Sequence, residues 1–105
     1  LKKIVAVASC PAGIAHTYIA AESLEIAGKK MGYQVKVETD GAGGTMNKLT
    51  KEEINESVAV IVAADTKVEM ERFRGKPVLM ISTGDAIRKA AQCFQLIEDG
   101  KVEIY

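Results

Sequence analysis

The sequence predicts an α/β protein built on a four-stranded parallel sheet, and three observations predict it. Apolar, β-branched runs such as Ile4-Val5-Ala6-Val7-Ala8 alternate with helical patterns along the chain. Such alternation calls for parallel strands joined by right-handed crossovers. The run over 58–64 is apolar without a break, the mark of a strand covered on both faces. Between the first strand and the first helix stands Ser9-Cys10-Pro11-Ala12-Gly13-Ile14-Ala15-His16-Thr17. Strand, small-residue loop and helix N-terminus in that order aim backbone N–H groups at an anion. The fold expected is therefore doubly wound and Rossmann-like, with a phosphate loop after strand 1.

Each element follows from its own residues. Residues 3–9 read as a buried strand. Over 16–31 the pattern is helical, with Ile19, Ala20, Leu24, Ala27 and Met31 on one face. Gly32, after Lys29 and Lys30, serves as its C-cap. Residues 34–39 alternate apolar and polar, as an edge strand with one covered face does. The glycine-rich stretch 40–45 reads as a flexible loop. Thr50 followed by Glu53 predicts a capping box for a short helix over 51–56. The run 58–64 is the central strand. Residues 67–74 hold a short charged turn ending at Gly75, and the cluster from Lys67 to Arg74 reads as a solvated face. Residues 76–82 form the fourth strand and 84–97 the last helix, which Gly100 breaks. Residues 101–105 are a tail or a short extended piece.

The bulk numbers narrow the function classes. A chain of 105 residues suits one domain, 1–105, with the tail from about 97 unassigned. Lysines and arginines number 14 and acids 14, so the basic excess that nucleic acid demands is missing. No run approaches the ~20 apolar residues that span a bilayer, and no signal peptide opens the chain. Cys10 and Cys93 are far apart, which argues against a disulfide framework and for the cytoplasm. One histidine and two cysteines cannot close a zinc site without distant carboxylates, so no metal is expected.

In a doubly wound sheet the ligand sits beyond the carboxyl ends of the strands, where strand order reverses. If strand 1 lies between the second and third predicted strands, the Cys10 loop is at that point, with Thr39, Asp40 and Asp65 beside it. Cys10 is the candidate nucleophile, because a helix N-terminus favours negative charge on sulfur. His16, the only histidine, has three candidate roles: to orient the loop, to hydrogen-bond a bound phosphate, or to accept a phosphoryl group itself. Gly13 supplies backbone freedom to a tight loop. Thr17 offers an N–H and a hydroxyl to an anion or caps the helix. Asp65 ends a strand and is expected to cap the next turn. Cys93, among Ala90, Ala91, Phe94 and Leu96, reads as core. The glycines of 41–44 lack the G-x-G-x-x-G spacing of a dinucleotide site.

The stretch Cys10-Pro11-Ala12-Gly13-Ile14-Ala15-His16-Thr17 resembles the fructose-type enzyme IIB component of the bacterial phosphoenolpyruvate-dependent sugar phosphotransferase system. The likeness continues through Ala20-Ala21-Glu22, Lys36-Val37-Glu38-Thr39, Gly41, Asn47-Lys48-Leu49-Thr50, Ala63-Ala64-Asp65, Lys67-Val68, Glu71-Arg72-Phe73 and Gly75-Lys76-Pro77. It covers roughly residues 3 to 90, and from about Gln95 there is none. The resemblance implies a phosphoryl relay. A phosphohistidine on enzyme IIA donates to the IIB cysteine, which donates to a fructose-like sugar bound by the membrane component IIC. It makes Cys10 the phosphoacceptor of a protein-phosphohistidine–sugar phosphotransferase. Pro11, Ala12, Gly13, Ile14, Ala15, His16 and Thr17 then surround the phosphate, with Asp40 and Asp65 as candidates behind them. It implies no cofactor and no metal, and a cytoplasmic place peripheral to the inner membrane through IIC. Two positions depart from the family's pattern. Ala12 stands where Thr is frequent, removing a hydroxyl, and Asp40 stands where Gln is common, adding an anion.

Two other classes compete. Low-molecular-weight phosphatases and arsenate reductases also carry a cysteine on a loop after strand 1, in a C-x5-R signature whose arginine clamps phosphate. Here His16 occupies the arginine's place, and no arginine occurs in the first 70 residues. The other rival is a non-catalytic module that senses an anion or a partner.

Overall fold

The computed structural model describes residues 2–10, 14–41 and 44–105, with the backbone alone at residue 14. Strand β1 (Lys2–Ser9) leads to helix α1 (Ile14–Lys30), strand β2 (Tyr33–Gly41) and the short strand β3 (Gly44–Met46). Helix α2 (Lys51–Glu56), strand β4 (Ala59–Ala64) and a 3-10 turn (Glu71–Phe73) follow. Strand β5 (Val78–Ile81) and helices α3 (Thr83–Arg88) and α4 (Ala90–Glu98) complete the order.

The sheet order is β3-β2-β1-β4-β5. β1 pairs in parallel with β2 from Lys2↔Tyr33 to Ser9↔Asp40, and with β4 from Ile4↔Ala59 to Ser9↔Ala64. β5 runs parallel to β4. Strand order thus reverses at β1, and the carboxyl ends of β1, β2 and β4 share one edge.

The sheet has five strands and is mixed, where the sequence predicts four, all parallel. The added strand, β3, lies antiparallel on the end of β2 through Thr39↔Met46, Asp40↔Thr45 and Gly41↔Gly44. Its three residues are exposed, so no apolar signature marks them. Gly44, at φ 101, adopts a conformation that glycine tolerates freely. The Thr45 hydroxyl donates to Asp40 Oδ1 at 3.2 Å and ties the hairpin.

Alternate residues of β1 feed opposite faces. Ile4, Ala6 and Ala8 pack with Ala20, Ala21 and Leu24 of α1 and with Cys93 and Phe94 of α4. Val5 and Val7 pack with Val60, Val62, Leu49, Ile54 and Phe73 on the other side. Cys93 is core, as its apolar neighbours predict. The Thr50–Glu53 capping box forms as predicted. Lys36 Nζ donates to Glu53 Oε1 at 2.7 Å, and that bond, joined by the Thr50 N–H, holds the Glu53 carboxyl down to about 2.

The predicted last helix is two helices. The backbone breaks at Lys89 (φ −129, ψ 30), with neither Gly nor Pro to announce it. Beyond the break, Phe94 meets Tyr33 with ring centroids 5.6 Å apart. Residues 101–105 turn back along the start of β5. Val78 N donates to Glu103 O at 2.9 Å, Tyr105 N donates to Lys76 O at 3.0 Å, and Pro77 bridges Ile104.

Gly28 lets α1, β2 and α4 close on one another. A Cβ there would lie 2.8 Å from Phe94 Cζ and nearer still to Val35 Cγ2. Alanine gains about 1 kcal/mol of helix propensity, against about 1–3 kcal/mol for overpacking a tight contact. Gly28→Ala is therefore expected to lower stability by about 1 kcal/mol in urea titration. A variant more stable than the parent would contradict this packing.

Candidate active site at the carboxyl edge of the sheet

Four segments distant in sequence meet beyond the ends of β1 and β4. Cys10 follows β1 directly and is 3% exposed. Asp65 follows β4, and its N–H donates to Ser9 O at 3.0 Å, carrying the ladder one residue past the strand. His16 lies in the first turn of α1, with Nδ1 3.5 Å from Cys10 Sγ. Thr83 opens α3, whose N-cap is Ser82.

Thr83 organises the cluster. Its N–H donates to Asp65 Oδ1 at 3.1 Å and its hydroxyl donates to Oδ2. Its oxygen lies 3.1 Å from His16 Nδ1. A threonine hydroxyl has one hydrogen. With that hydrogen on Asp65, the oxygen accepts from His16, so the imidazole proton belongs on Nδ1. The Thr83 hydroxyl holds the Asp65 carboxyl below its ordinary value of 3.8, and the Thr83 N–H reinforces it. Burial opposes the shift, while the Cys10 thiol and the charge of His16 add to it. Asp65, Thr83, His16 and Cys10 thus form a continuous polar chain that ends on a sulfur.

The other predicted site residues fall as follows. Ala15 is exposed in the first turn of α1. Thr17 is buried, with its hydroxyl 3.7 Å from where a Cβ on Gly41 would stand, so it faces the end of β2. Asp40 accepts from Thr45, and its charge reaches Arg72. Pro11, Ala12, Gly13 and the side chain of Ile14 lie outside the described residues, and with them the phosphate-loop geometry. Asp65 serves the start of α3 rather than the turn that follows it, because parallel β4 and β5 end side by side. Thr83 was not among the predicted residues. Its place just past a strand end, on the edge that carries Cys10, is the signal that could have found it.

Sequence reasoning also missed a part-buried ion pair made by Glu38 of β2. Arg72 donates to Glu38 Oε1 and Oε2 at 2.8 and 2.7 Å, and Leu49 N donates to Oε1 at 2.9 Å. The Lys67-to-Arg74 segment is therefore not solvated throughout: the Arg72 side chain is 21% exposed, against 66% for Arg74. Burial pushes the Glu38 carboxyl up, but the Arg72 bonds, the Leu49 N–H and the charges of Arg72 and Lys48 outweigh it and leave it lowered.

A carboxylate also completes a set of metal-ligating groups that the sequence did not predict. Cys10, His16 and Asp65 each place one ligand atom within 4.8 Å of the others. The expectation of no metal rested on carboxylates being distant, and the fold brings Asp65 in from 55 positions beyond Cys10.

Comparison with known proteins agrees with this fold. The family described as "PTS system, Lactose/Cellobiose specific IIB subunit" matches residues 5–96. The chain belongs to the IIB family of the phosphotransferase system. A fructose-specific EIIABC component of Bacillus subtilis is 46% identical over 103 residues, which is 98% of this chain and 16% of that protein. The chain thus spans about a sixth of that relative's length. A fructose-like EIIB component 2 of Escherichia coli K12 is 43% identical, with 93% of both chains covered. The crystal structure of a domain from a fructose-specific IIABC component of Borrelia burgdorferi superposes with a TM-score of 0.94 at 42% identity. That match covers 99% of this chain and 98% of the other. The IIB fold here is thus an α/β fold on a mostly parallel sheet.

Two outcomes test the site's architecture. Glu38→Gln should cost about 1–3 kcal/mol at neutral pH, since it leaves the part-buried Arg72 without its charge partner. The folded carboxyl lies below its ordinary value of 4.5, so its contribution is complete above that value and is lost as pH falls through the lowered one. The stability gap between parent and variant should therefore shrink on acidification, as denaturant titrations across pH will show; a constant gap would contradict it. Thr83→Val should raise the Asp65 carboxyl toward its ordinary value, read by NMR titration of its side-chain carbon.

Proposed function

We propose that residues 1–105 form one IIB domain that carries a phosphoryl group on Cys10 from an enzyme IIA to a sugar held by a membrane IIC. The observation that carries this reading is the seat of Cys10. Its sulfur stands at the end of the central strand where strand order reverses, 3.5 Å from His16 Nδ1. The names of the relatives favour fructose or a fructose-like sugar. No helix among the described residues is long and apolar enough to cross a membrane. The domain then works at the cytoplasmic face, with IIC as its link to the bilayer.

The transfer has two balanced halves. The Cys10 thiolate attacks the phosphorus of a phosphohistidine on IIA. A P–S bond forms, the P–N bond breaks, and the freed imidazole takes the proton that the thiol gave up. In the second half a sugar hydroxyl oxygen attacks phosphorus, the P–S bond breaks, and Cys10 leaves as thiolate while the hydroxyl proton passes to a base on the acceptor protein. The N–H groups over 12–17 hold the dianion beside the start of α1. Pro11 brings no N–H. The His16 ring stands against the sulfur, with Thr83 and Asp65 fixing its orientation, and Thr17 closes the pocket toward Gly41. Asp40 adds negative charge at the rim.

Hydrolysis is disfavoured in this arrangement. A phosphatase spreads transition-state charge onto an arginine. His16 stands in that place here, and Arg72, the first arginine in the chain, is committed to Glu38. The relay is tested with phosphorylated IIA and intact-mass measurement. Cys10→Ser should abolish labelling and Cys93→Ser should retain it. The phospho-form should outlast by far its lifetime in the presence of IIC membranes and sugar. Label on His16, or loss of phosphate in buffer as fast as in the complete system, would overturn the reading.

A further inference from the structure

We infer that Cys10, His16 and Asp65 form a binding site for a zinc-class divalent cation, and that the cation and the phosphoryl group compete for the Cys10 sulfur. The site stands on geometry independent of the relay; the competition rests on the phosphocysteine reading above.

Three features point to a zinc-class ion. The donor set is one sulfur, one imidazole nitrogen and one carboxylate oxygen, a mixture that suits zinc and excludes magnesium and calcium, which take oxygen. The spacing fits as well. Ligand bonds of about 2.0–2.3 Å on a tetrahedral ion separate neighbouring donors by about 3.5 Å, and Cys10 Sγ lies 3.5 Å from His16 Nδ1. All three ligand atoms fall within 4.8 Å of one another, so modest closure at the Asp65 side chain completes three corners. The fourth corner stays open to water, since His16 and Asp65 are both exposed.

The groups behind the ligands are already in place. Thr83 N donates to Asp65 Oδ1, and the Thr83 hydroxyl donates to Oδ2. Such outer partners orient a ligating carboxylate and sharpen affinity. The ligands come from the end of β1, the first turn of α1 and the end of β4, so an ion would clip three elements together. On binding, the Cys10 thiol proton is released to solvent and the imidazole proton leaves Nδ1 for Nε2, freeing the Nδ1 lone pair for the metal. Nothing is oxidised or reduced. The ion draws negative charge from the sulfur and weakens it as a nucleophile, and it fills the place of the incoming phosphoryl group.

Cobalt(II) is the probe, added to the full chain in a Cys93→Ala background so that Cys10 is the single thiol. A thiolate-to-cobalt charge-transfer band in the near ultraviolet should appear, saturate at one equivalent, and vanish on addition of zinc but not of magnesium. Cys10→Ser should abolish the band, and His16→Gln and Asp65→Asn should each weaken affinity by at least ~10-fold, the smallest loss usual for a group that tunes a metal site. His16 and Asp65 are exposed, so these variants leave the core intact, and circular dichroism checks their fold. No band, a band that survives Cys10→Ser, or an affinity indifferent to both His16→Gln and Asp65→Asn overturns the site. For the competition, saturating zinc should suppress labelling by phosphorylated IIA, a chelator should restore it, and Asp65→Asn should need proportionately more zinc. Labelling undiminished under saturating zinc overturns the competition. The cobalt titration uses no phosphoryl donor and zinc-free labelling uses no metal, so each reading can fail alone.

Discussion

β1 is the constraint on which the rest of the molecule depends. It is hydrogen-bonded on both edges and covered on both faces, and Ile4 through Ala8 are at most 1% exposed. Each of those five side chains must therefore be apolar and sized to one of two cores. Because both of its neighbours are parallel to it, three strand ends face the same way. The register Ser9↔Ala64 brings Asp65 beside Cys10, and α3 adds Thr83 from the neighbouring strand's exit. Strand order brings residues 65 and 83 to the local stretch that carries residues 10 and 16.

Legibility in the sequence follows from this. β1 and β4 were readable because strands buried on both faces must be apolar throughout, and β2 was readable from its alternation. β3 was not readable, because a three-residue exposed strand needs only backbone partners and its glycines look like any loop. The break at Lys89 was equally silent, since neither Gly nor Pro stands there. Glu38 and Arg72 sit 34 positions apart, and each looks like an ordinary surface charge until the fold places them together. Within the site, Cys10 and His16 were legible from their loop, and Asp65 from its strand end. Thr83 was not, because a threonine at a helix start already has a sufficient explanation as a cap.

The cluster differs electrostatically from one built to cleave phosphate esters. A guanidinium offers several donors in a fixed fork. An imidazole whose Nδ1 hydrogen is held by Thr83 has no such fork. The Glu38–Arg72 pair keeps the chain's first guanidinium on the far side of β2. Arg72 Nε is buried there without a hydrogen-bond partner among the described residues, while its Cζ stacks 4.8 Å over the Phe73 ring. The arginine is thus built into the wall that supports the end of β2, at some expense to its own solvation.

The returning C-terminal segment has a further consequence. Residues 103–105 lie against the start of β5, and Lys2 opens β1, so both ends of the described chain leave from the amino edge of a parallel sheet. Cys10 is at the opposite edge, a strand's length of about 26 Å away for eight residues at ~3.3 Å each. A polypeptide joined at either end would hold the domain by its back. Such a joint would leave the edge that carries Cys10 uncovered by the attachment.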